Sequence, residues 1–344
     1  MTSAPLPDAG SNWVDRHAPE RLKPWLKLGR FDRPIGIWLL LLPGWQGIAL
    51  ASFSGTNTGN WLAAVIQFFV MFGVGACLMR AAGCAFNDIA DRDIDLKVAR
   101  TALRPIPSGR ISVKQAWGFV VGCSLLSLLI LLQMNWTTVM LGIASLALVA
   151  IYPFMKRITW WPQAWLGLTF NWGALMGYAA ATSSFIWNSM IFAWLNPDLI
   201  GFHADWGNPG HLALPALLLY LGGVFWTLGY DTIYALQDIE DDAMVGVKSS
   251  ARRLGSNVRT GVAVFYALAA ACGAAAGYVA NLGPLFWLGL AAYAGHLALQ
   301  VVRLQSDDGA TALMLFKSNR DAGVILLAAI ALGALSLPVT WSSL

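Results

Sequence analysis

Long apolar runs separated by short polar connections decide what this chain can fold into. Nine of them, at about 34–53, 61–86, 113–133, 136–154, 161–183, 213–237, 260–281, 284–303 and 322–341, approach the ~20 residues that a helix needs to cross a bilayer. A backbone in hydrocarbon must satisfy its own N–H and C=O groups, so runs of this length read as helices. Only 12% of the 344 residues are charged and 57% are hydrophobic, roughly half the charge of a soluble domain. The expected fold class is all-α, a polytopic membrane protein of about nine transmembrane helices. No soluble domain of useful size fits between the runs. The expected organisation is an N-terminal arm at 1–30 and one membrane domain at 31–341. Within the arm, Trp13 to Leu28 reads as a short helix lying at the membrane surface. The arm contains Asp8, Asp15 and Glu20 and no early apolar core, so the first span is expected to direct insertion itself. Cys77, Cys84, Cys123 and Cys272 all lie in apolar runs, without metal-ligand spacing, and read as small apolar fillers.

Basic residues set the orientation. The 22 Lys and Arg gather in alternate connections or at their edges, while 54–60, the turn near 134, 184–212, 282–283 and 342–344 hold none. That asymmetry agrees with an odd number of spans. The expectation is a bacterial inner (plasma) membrane protein with the N-terminus and the basic face cytoplasmic. The stretch 184–212 is long and rich in Trp, Asn, Pro and Gly. It reads as an interfacial loop rather than as a metal site built on His203 and His211.

Two acidic runs end apolar helices on the basic face. The first is Asn87-Asp88-Ile-Ala-Asp91-Arg92-Asp93-Ile-Asp95. At ~100° per residue, Asn87, Asp88, Asp91 and Asp95 share an arc of roughly 100°. Like charges at these spacings repel, so a cation should compensate them. Hard oxygen donors select magnesium or calcium, and magnesium usually shares its shell with substrate phosphates. The second run is Asp231-Thr-Ile-Tyr234-Ala-Leu-Gln-Asp238-Ile-Glu240-Asp241-Asp242. Continued as a helix, it brings Asp231, Asp238 and Asp242 within about 40° of one another, with Tyr234 beside them. Asp231 would lie about 10 Å deeper than Asp238 at 1.5 Å per residue, too far to share an ion with it. An ionisable residue at that depth points to function. Solvated helix ends are the plain alternative; two such runs on one face, followed by Lys97, Arg100 and Arg104 and by Lys248, Arg252 and Arg253, describe instead a site for a magnesium-bridged diphosphate. Positive-inside topology accounts for part of those cations.

These residues resemble the UbiA superfamily of membrane prenyltransferases. The first run matches NDxxDxxxD, the second DxxYAxxDxxxD, and Tyr152-Pro-Phe-Met-Lys156 matches YxxxK. Asp32-Arg-Pro-Ile-Gly36, Arg104-Pro-Ile-Pro-Ser-Gly109 and Phe316-Lys-Ser-Asn319 with Gly323 extend the likeness, in family order, from about residue 31 to 323. Arg33–Pro43, Tyr152–Thr159 and Asp231–Asp238 look most like the branch that prenylates 4-hydroxybenzoate in ubiquinone synthesis. The resemblance implies nine helices around a cavity open sideways to lipid. It also implies two Mg2+ ions, one held by Asn87, Asp91 and Asp95, the other by Asp238 and Asp242, with Asp88 assisting either. Lys156, Arg157, Arg92 and Tyr152 would hold the polyprenyl diphosphate, and Asp231, Arg80 and Tyr234 would act on the acceptor. Arg80 lies two turns deeper than Asn87 and needs a partner; the acceptor carboxylate is the expected one, with Asp231 or snorkelling as the alternatives. Asp231 would steer the phenol or take the ring proton. Trp38, Trp45, Phe86 and Trp226 are candidate walls, although ordinary lipid-facing or core packing is the stronger reading of any single one. Gly122, Gly142, Ala144 and Ala147 would let a long tail leave, or simply pack helices.

The implied partners are a polyprenyl diphosphate, 4-hydroxybenzoate or a similar aromatic acid, and the bilayer, with no nucleic acid. The same chemistry on another aromatic or lipid acceptor is the first alternative. A divalent-cation transporter is the remote one, since a pore needs polar residues across the whole bilayer and here they stop on one side.

Overall fold

The computed structural model describes residues 12–52, 61–96, 101–182, 210–239, 244 and 246–336. Among the described residues there are helices and no strands. Two short helices, α1 (Trp13–His17) and α2 (Lys23–Leu28), precede the long ones. Then come α3 (Ile35–Ser52), α4 (Trp61–Asp95), α5 (Val113–Leu131), α6 (Trp136–Ile158), α7 (Pro162–Ala181), α8 (Leu214–Ala235), a short α9 (Ser250–Leu254), α10 (Val258–Val279), α11 (Pro284–Arg303) and α12 (Gly309–Leu335). Each of the nine expected spans has its helix. Eight of the helices are long and apolar enough to cross a membrane. The exception is α7, which carries Gln163, Thr169 and Asn171 and buries both Gln163 and Asn171 inside the bundle.

Three boundaries differ from the sequence reading. The arm is two helices rather than one, because Pro19 interrupts the first and Pro24 opens the second. Helix α12 starts at Gly309, thirteen residues before the apolar run at 322. Lys317, Ser318 and Arg320 mask its start, and the Asp308 carboxylate caps it by accepting the Ala310 and Thr311 N–H groups. Helix α4 continues to Asp95, so its 35 residues span about 52 Å and outrun a ~30 Å hydrocarbon core.

Packing puts α7 at the centre. Helix α3 lies against α4, α7 and α12; α8 lies against α7 and α10; α11 bridges α10 and α12. The α3–α7 crossing depends on small residues. A Cβ at Gly47 would strike the Ala174 carbonyl, and one at Gly177 would strike the Gly44 carbonyl. In a bilayer such close approach, rather than water exclusion, holds helices together. Helix α4 packs on α5 and α6 packs on α7, whereas α5 and α6 touch only sparsely. The ring of helices therefore has one loose seam.

Candidate active site

Behind that seam is a cavity of about 550 Å3. Along α4 it runs from Met71 to Asp88, about 25 Å at 1.5 Å per residue. Leu125 and Leu128 of α5 and Ile143 and Leu146 of α6 line it, yet remain 38 to 56% exposed. Side chains that face both a cavity and the lipid mark a sideways opening. The walls include Phe72, Phe170, Trp172 and four methionines, Met71, Met79, Met134 and Met176. The candidate walls Trp38, Trp45, Phe86 and Trp226 do not line it. Trp45 stacks on Phe69 at 4.9 Å, Trp38 packs edge-on to Trp45, and Phe86 packs edge-on to Trp117. Trp226 is buried in the core, where its indole N–H donates to Asn319 Oδ1 at 2.8 Å.

The polar end is built on the last turns of α4. Asp88, Asp91 and Asp95 are buried, while Arg92 and Asp93 on the opposite face are exposed and pair with each other at 3.3 Å. The acidic stripe is thus a buried face of one continuous helix, as its spacing implied. Arg92 lies outside the cluster. Each buried carboxylate has cationic neighbours. Arg30 Nη2 meets Asp88 Oδ1 at 2.7 Å, and Arg104 Nη1 meets Asp95 Oδ2 at 2.9 Å and Asp88 Oδ1 at 3.4 Å. Lys156 Nζ reaches Asp91 Oδ2 at 2.5 Å and Arg157 Nη2 reaches Asp91 Oδ1 at 3.3 Å. Breaking such buried pairs costs several kcal/mol because one charge is stranded, about 3–5 in comparable cases. The network is a structural constraint as well as a chemical one.

Arg104 was expected only as one of the cations following the first acidic run, and Arg30 not as a site residue at all. Arg104 carried a signal in the Arg104–Gly109 segment. Arg30 carried none beyond topology. It follows α2 in a left-handed conformation (φ 58°), which costs a non-glycine residue roughly 1 kcal/mol. That turn delivers the guanidinium to Asp88 across 58 residues of sequence.

Arg80 lines the cavity deeper than the acids. Its Cζ sits 5.4 Å above the Phe170 ring, and its Nε is buried without a hydrogen-bond partner among the described residues. Gly36 makes room for it, since a Cβ there would collide with the guanidinium. Tyr152 of α6 and Tyr234 of α8 line the same space, as does Asn87. Tyr234 packs on Phe316 at 4.6 Å. Asp231 is half-buried on α8, outside the cavity lining, within electrostatic reach of Tyr152 and Tyr230.

The second acidic run leaves α-helical geometry partway along. Helix α8 ends at Ala235 and a 3-10 turn carries Leu236–Asp238. A 3-10 turn advances ~120° per residue, which moves Asp238 by about 60° around the axis yet leaves it roughly 40° from Asp231. The side chain of Asp238 and all of Asp242 lie outside the described residues, as do Lys97, Arg100 and most of the 184–212 stretch with His203.

The donor set suits magnesium. Asp88 Oδ2 is buried with no hydrogen-bond partner among the described residues, and Asn87 adjoins it. Among the described residues no three acidic, His or Cys side chains converge as a finished metal cage. Magnesium needs none: it typically takes one or two carboxylates, keeps waters, and fills its octahedron with phosphate oxygens.

Comparison with known proteins agrees with this architecture. The UbiA prenyltransferase family matches residues 40–320. The mitochondrial 4-hydroxybenzoate polyprenyltransferase of Arabidopsis thaliana is 42% identical over 323 residues, 94% of this chain and 72% of that protein. Its counterpart in Mus musculus is 42% identical over 324 residues, 94% and 78% of the two chains. Among solved structures, a UbiA homolog from Aeropyrum pernix K1 superposes with a TM-score of 0.65 at 24% identity, covering 85% of this chain and 96% of that one. A UbiA homolog from Archaeoglobus fulgidus bound to GPP and Mg2+ gives 0.59 at 17% identity, covering 90% and 98%. The multi-pass helical fold stands, but the expected bacterial plasma membrane does not, because these relatives are named as mitochondrial enzymes. Basic residues mark a side of a bilayer, never which bilayer. On fold, motif and sequence together, this chain is a member of the UbiA prenyltransferase family.

Proposed function

We propose that the chain transfers a polyprenyl group from its diphosphate to a ring carbon of 4-hydroxybenzoate, in a magnesium-dependent reaction. The observation that carries this reading is the buried Asp88–Asp91–Asp95 face at the polar end of a lipid-open cavity, with Arg80 deeper in the same space. Relatives named for that reaction, at about 40% identity over most of the chain, supply the substrate pair.

Asn87, Asp88, Asp91 and Asp95 would hold magnesium on the α4 side, with Asp238 and Asp242 on the other. Bound there, the metal neutralises charge developing on the leaving diphosphate. Lys156 and Arg157 hold phosphate oxygens in the loaded state and so exchange their contacts with Asp91. Tyr152 lines the cavity within electrostatic reach of both Asp91 and Arg80 and helps hold the diphosphate. Arg80 holds the acceptor carboxylate, and its contact with Phe170 keeps the guanidinium in place before the acceptor arrives. Asp231, outside the lining but within electrostatic reach of Tyr152, would orient the phenol or receive the ring proton. The apolar walls keep water from the allylic cation, and the seam between α5 and α6 leaves the tail in lipid.

Purified protein given geranyl diphosphate, 4-hydroxybenzoate and Mg2+ should form the 3-prenylated acid. Lack of product with every aromatic acid tried sinks the acceptor assignment. Unchanged turnover after chelation of all divalent ions sinks the magnesium chemistry.

A further inference from the structure

Lys248 follows the second acidic run, and its position in the sequence reads as one more cation for the diphosphate. The structure gives it different partners. Its backbone N–H donates to Lys156 O at 3.0 Å, and its ammonium donates to Ile158 O at 3.1 Å. Both acceptors belong to the last turn of α6, where helical carbonyls lack partners of their own and a cation is favoured. The next aromatic, Trp160, lies under two cations: Lys248 Nζ at 6.0 Å and Arg252 Cζ at 5.5 Å from its ring centroid.

The segment is anchored at its other end too. Ser250 is fully buried; its N–H donates to Gln163 Oε1 at 3.0 Å and its hydroxyl meets Thr232 Oγ1 at 2.6 Å. Gln163 begins α7, and Thr232 follows Asp231 on α8. Residues 248–250 therefore tie the end of α6, the start of α7 and the Asp231 turn of α8 into one unit. Lys156 and Arg157, the cations on Asp91, sit on the helix end that this unit caps.

We infer that Lys248 and Trp160 form a latch that positions Lys156 and Arg157 for the diphosphate, and that Lys248 does not itself bind phosphate. This deepens the proposed function and rests on its diphosphate site. The latch fixes the last turn of α6 against α8, so the cations contributed by one half of the bundle stay in register with the residues contributed by the other.

The test is calorimetric titration of the detergent-purified full chain with inorganic pyrophosphate in excess Mg2+, which needs no acceptor. Trp160→Ala and Lys248→Met should each weaken binding roughly three- to tenfold. The double variant should be no weaker than the worse single, since both break one device. Lys248→Arg, which still donates to carbonyls and stacks, should bind as the parent does. In turnover, the KM for geranyl diphosphate should rise while that for the aromatic acid stays. A silent Trp160→Ala beside a weakened Lys248→Met makes Lys248 a direct phosphate ligand and overturns the latch. Lowered thermal stability with unchanged pyrophosphate affinity in both variants overturns it as well. If the parent chain binds no pyrophosphate, the diphosphate reading itself falls and the inference with it; normal parent binding with unaffected variants removes only the inference.

Discussion

At the scale of single residues, the site's logic is that every buried acid has a cation and the deep arginine has a vacant donor. Arg80 offers its buried Nε no hydrogen-bond partner among the described residues, and its guanidinium rests on Phe170. An unsatisfied buried donor of this kind costs about 1–3 kcal/mol unless a ligand completes it. Arg80→Ala should therefore raise the KM for the aromatic acid at least tenfold, about 1.4 kcal/mol or more, with the KM for the prenyl diphosphate little changed; equal loss on both substrates would remove Arg80 from the acceptor. Asp91→Asn should act oppositely. It strands Lys156 and Arg157 and removes a hard ligand, so kcat/KM for the prenyl diphosphate should fall by about 100-fold or more, while acceptor affinity measured by tryptophan quenching holds. Parent-like turnover in Asp91→Asn would take that carboxylate out of the chemistry. The acids were legible in sequence because helical spacing alone places Asp88, Asp91 and Asp95 on one face and Asp93 on the other. Their partners were less so. Arg30 reaches Asp88 only through a left-handed turn, and Lys248 turns toward helix carbonyls; neither is written in local periodicity.

At the scale of elements, the apolar runs named every long helix and misjudged where polar sequence stays helical. Helix α12 keeps Asn319 fully buried, bonded to Trp226 and Gln300, because a satisfied amide inside a bundle costs little. A hydropathy reading sees only an interruption. After Ala235 the chain tightens into a 3-10 turn that a helical wheel does not register, although three such steps move Asp238 by only about 60°. The seam between α5 and α6 was invisible for another reason: it is the sparseness of a contact, which no single helix encodes. Gly142 of α6 lines the cavity there, and a Cβ on it would press into the Leu131 side chain of α5. Gly142→Leu should wedge the two helices at the inner end of the slot. Turnover of geranyl diphosphate should stay within about threefold of the parent, a change of under 1 kcal/mol. Turnover of an octaprenyl or longer diphosphate should drop by about tenfold or more, since its tail must cross that seam. Equal effects on short and long donors would place the tail elsewhere.

At the scale of the whole molecule, the charge pairing predicts how ligands couple. Without ligand, Asp91 is held by Lys156 and Arg157, and Asp88 by Arg30 and Arg104. A magnesium ion arriving alone must compete with those cations for the same carboxylates. A diphosphate arriving alone meets cations already paired with acids. On the proposed site, joint arrival would let them exchange partners: the carboxylates would hold the metal while Lys156 and Arg157 hold the phosphates, so that no charge would be stranded. Each ligand then strengthens the other's binding by the same factor. The elements involved reach from the N-terminal arm, through α4 and α6, to the Lys248 segment, so the coupled binding should stabilise the bundle as a unit. Thermal unfolding in detergent should shift little with millimolar Mg2+ or with pyrophosphate alone. It should rise clearly with both, since a ligand at a hundredfold its dissociation constant adds about 2.7 kcal/mol. Calcium should substitute poorly, because it prefers more oxygen ligands and longer bonds than this donor set and two phosphates provide. A full shift with Mg2+ alone would mean that the carboxylates form a metal site without the substrate, and the partner exchange at Asp91 would have to be given up.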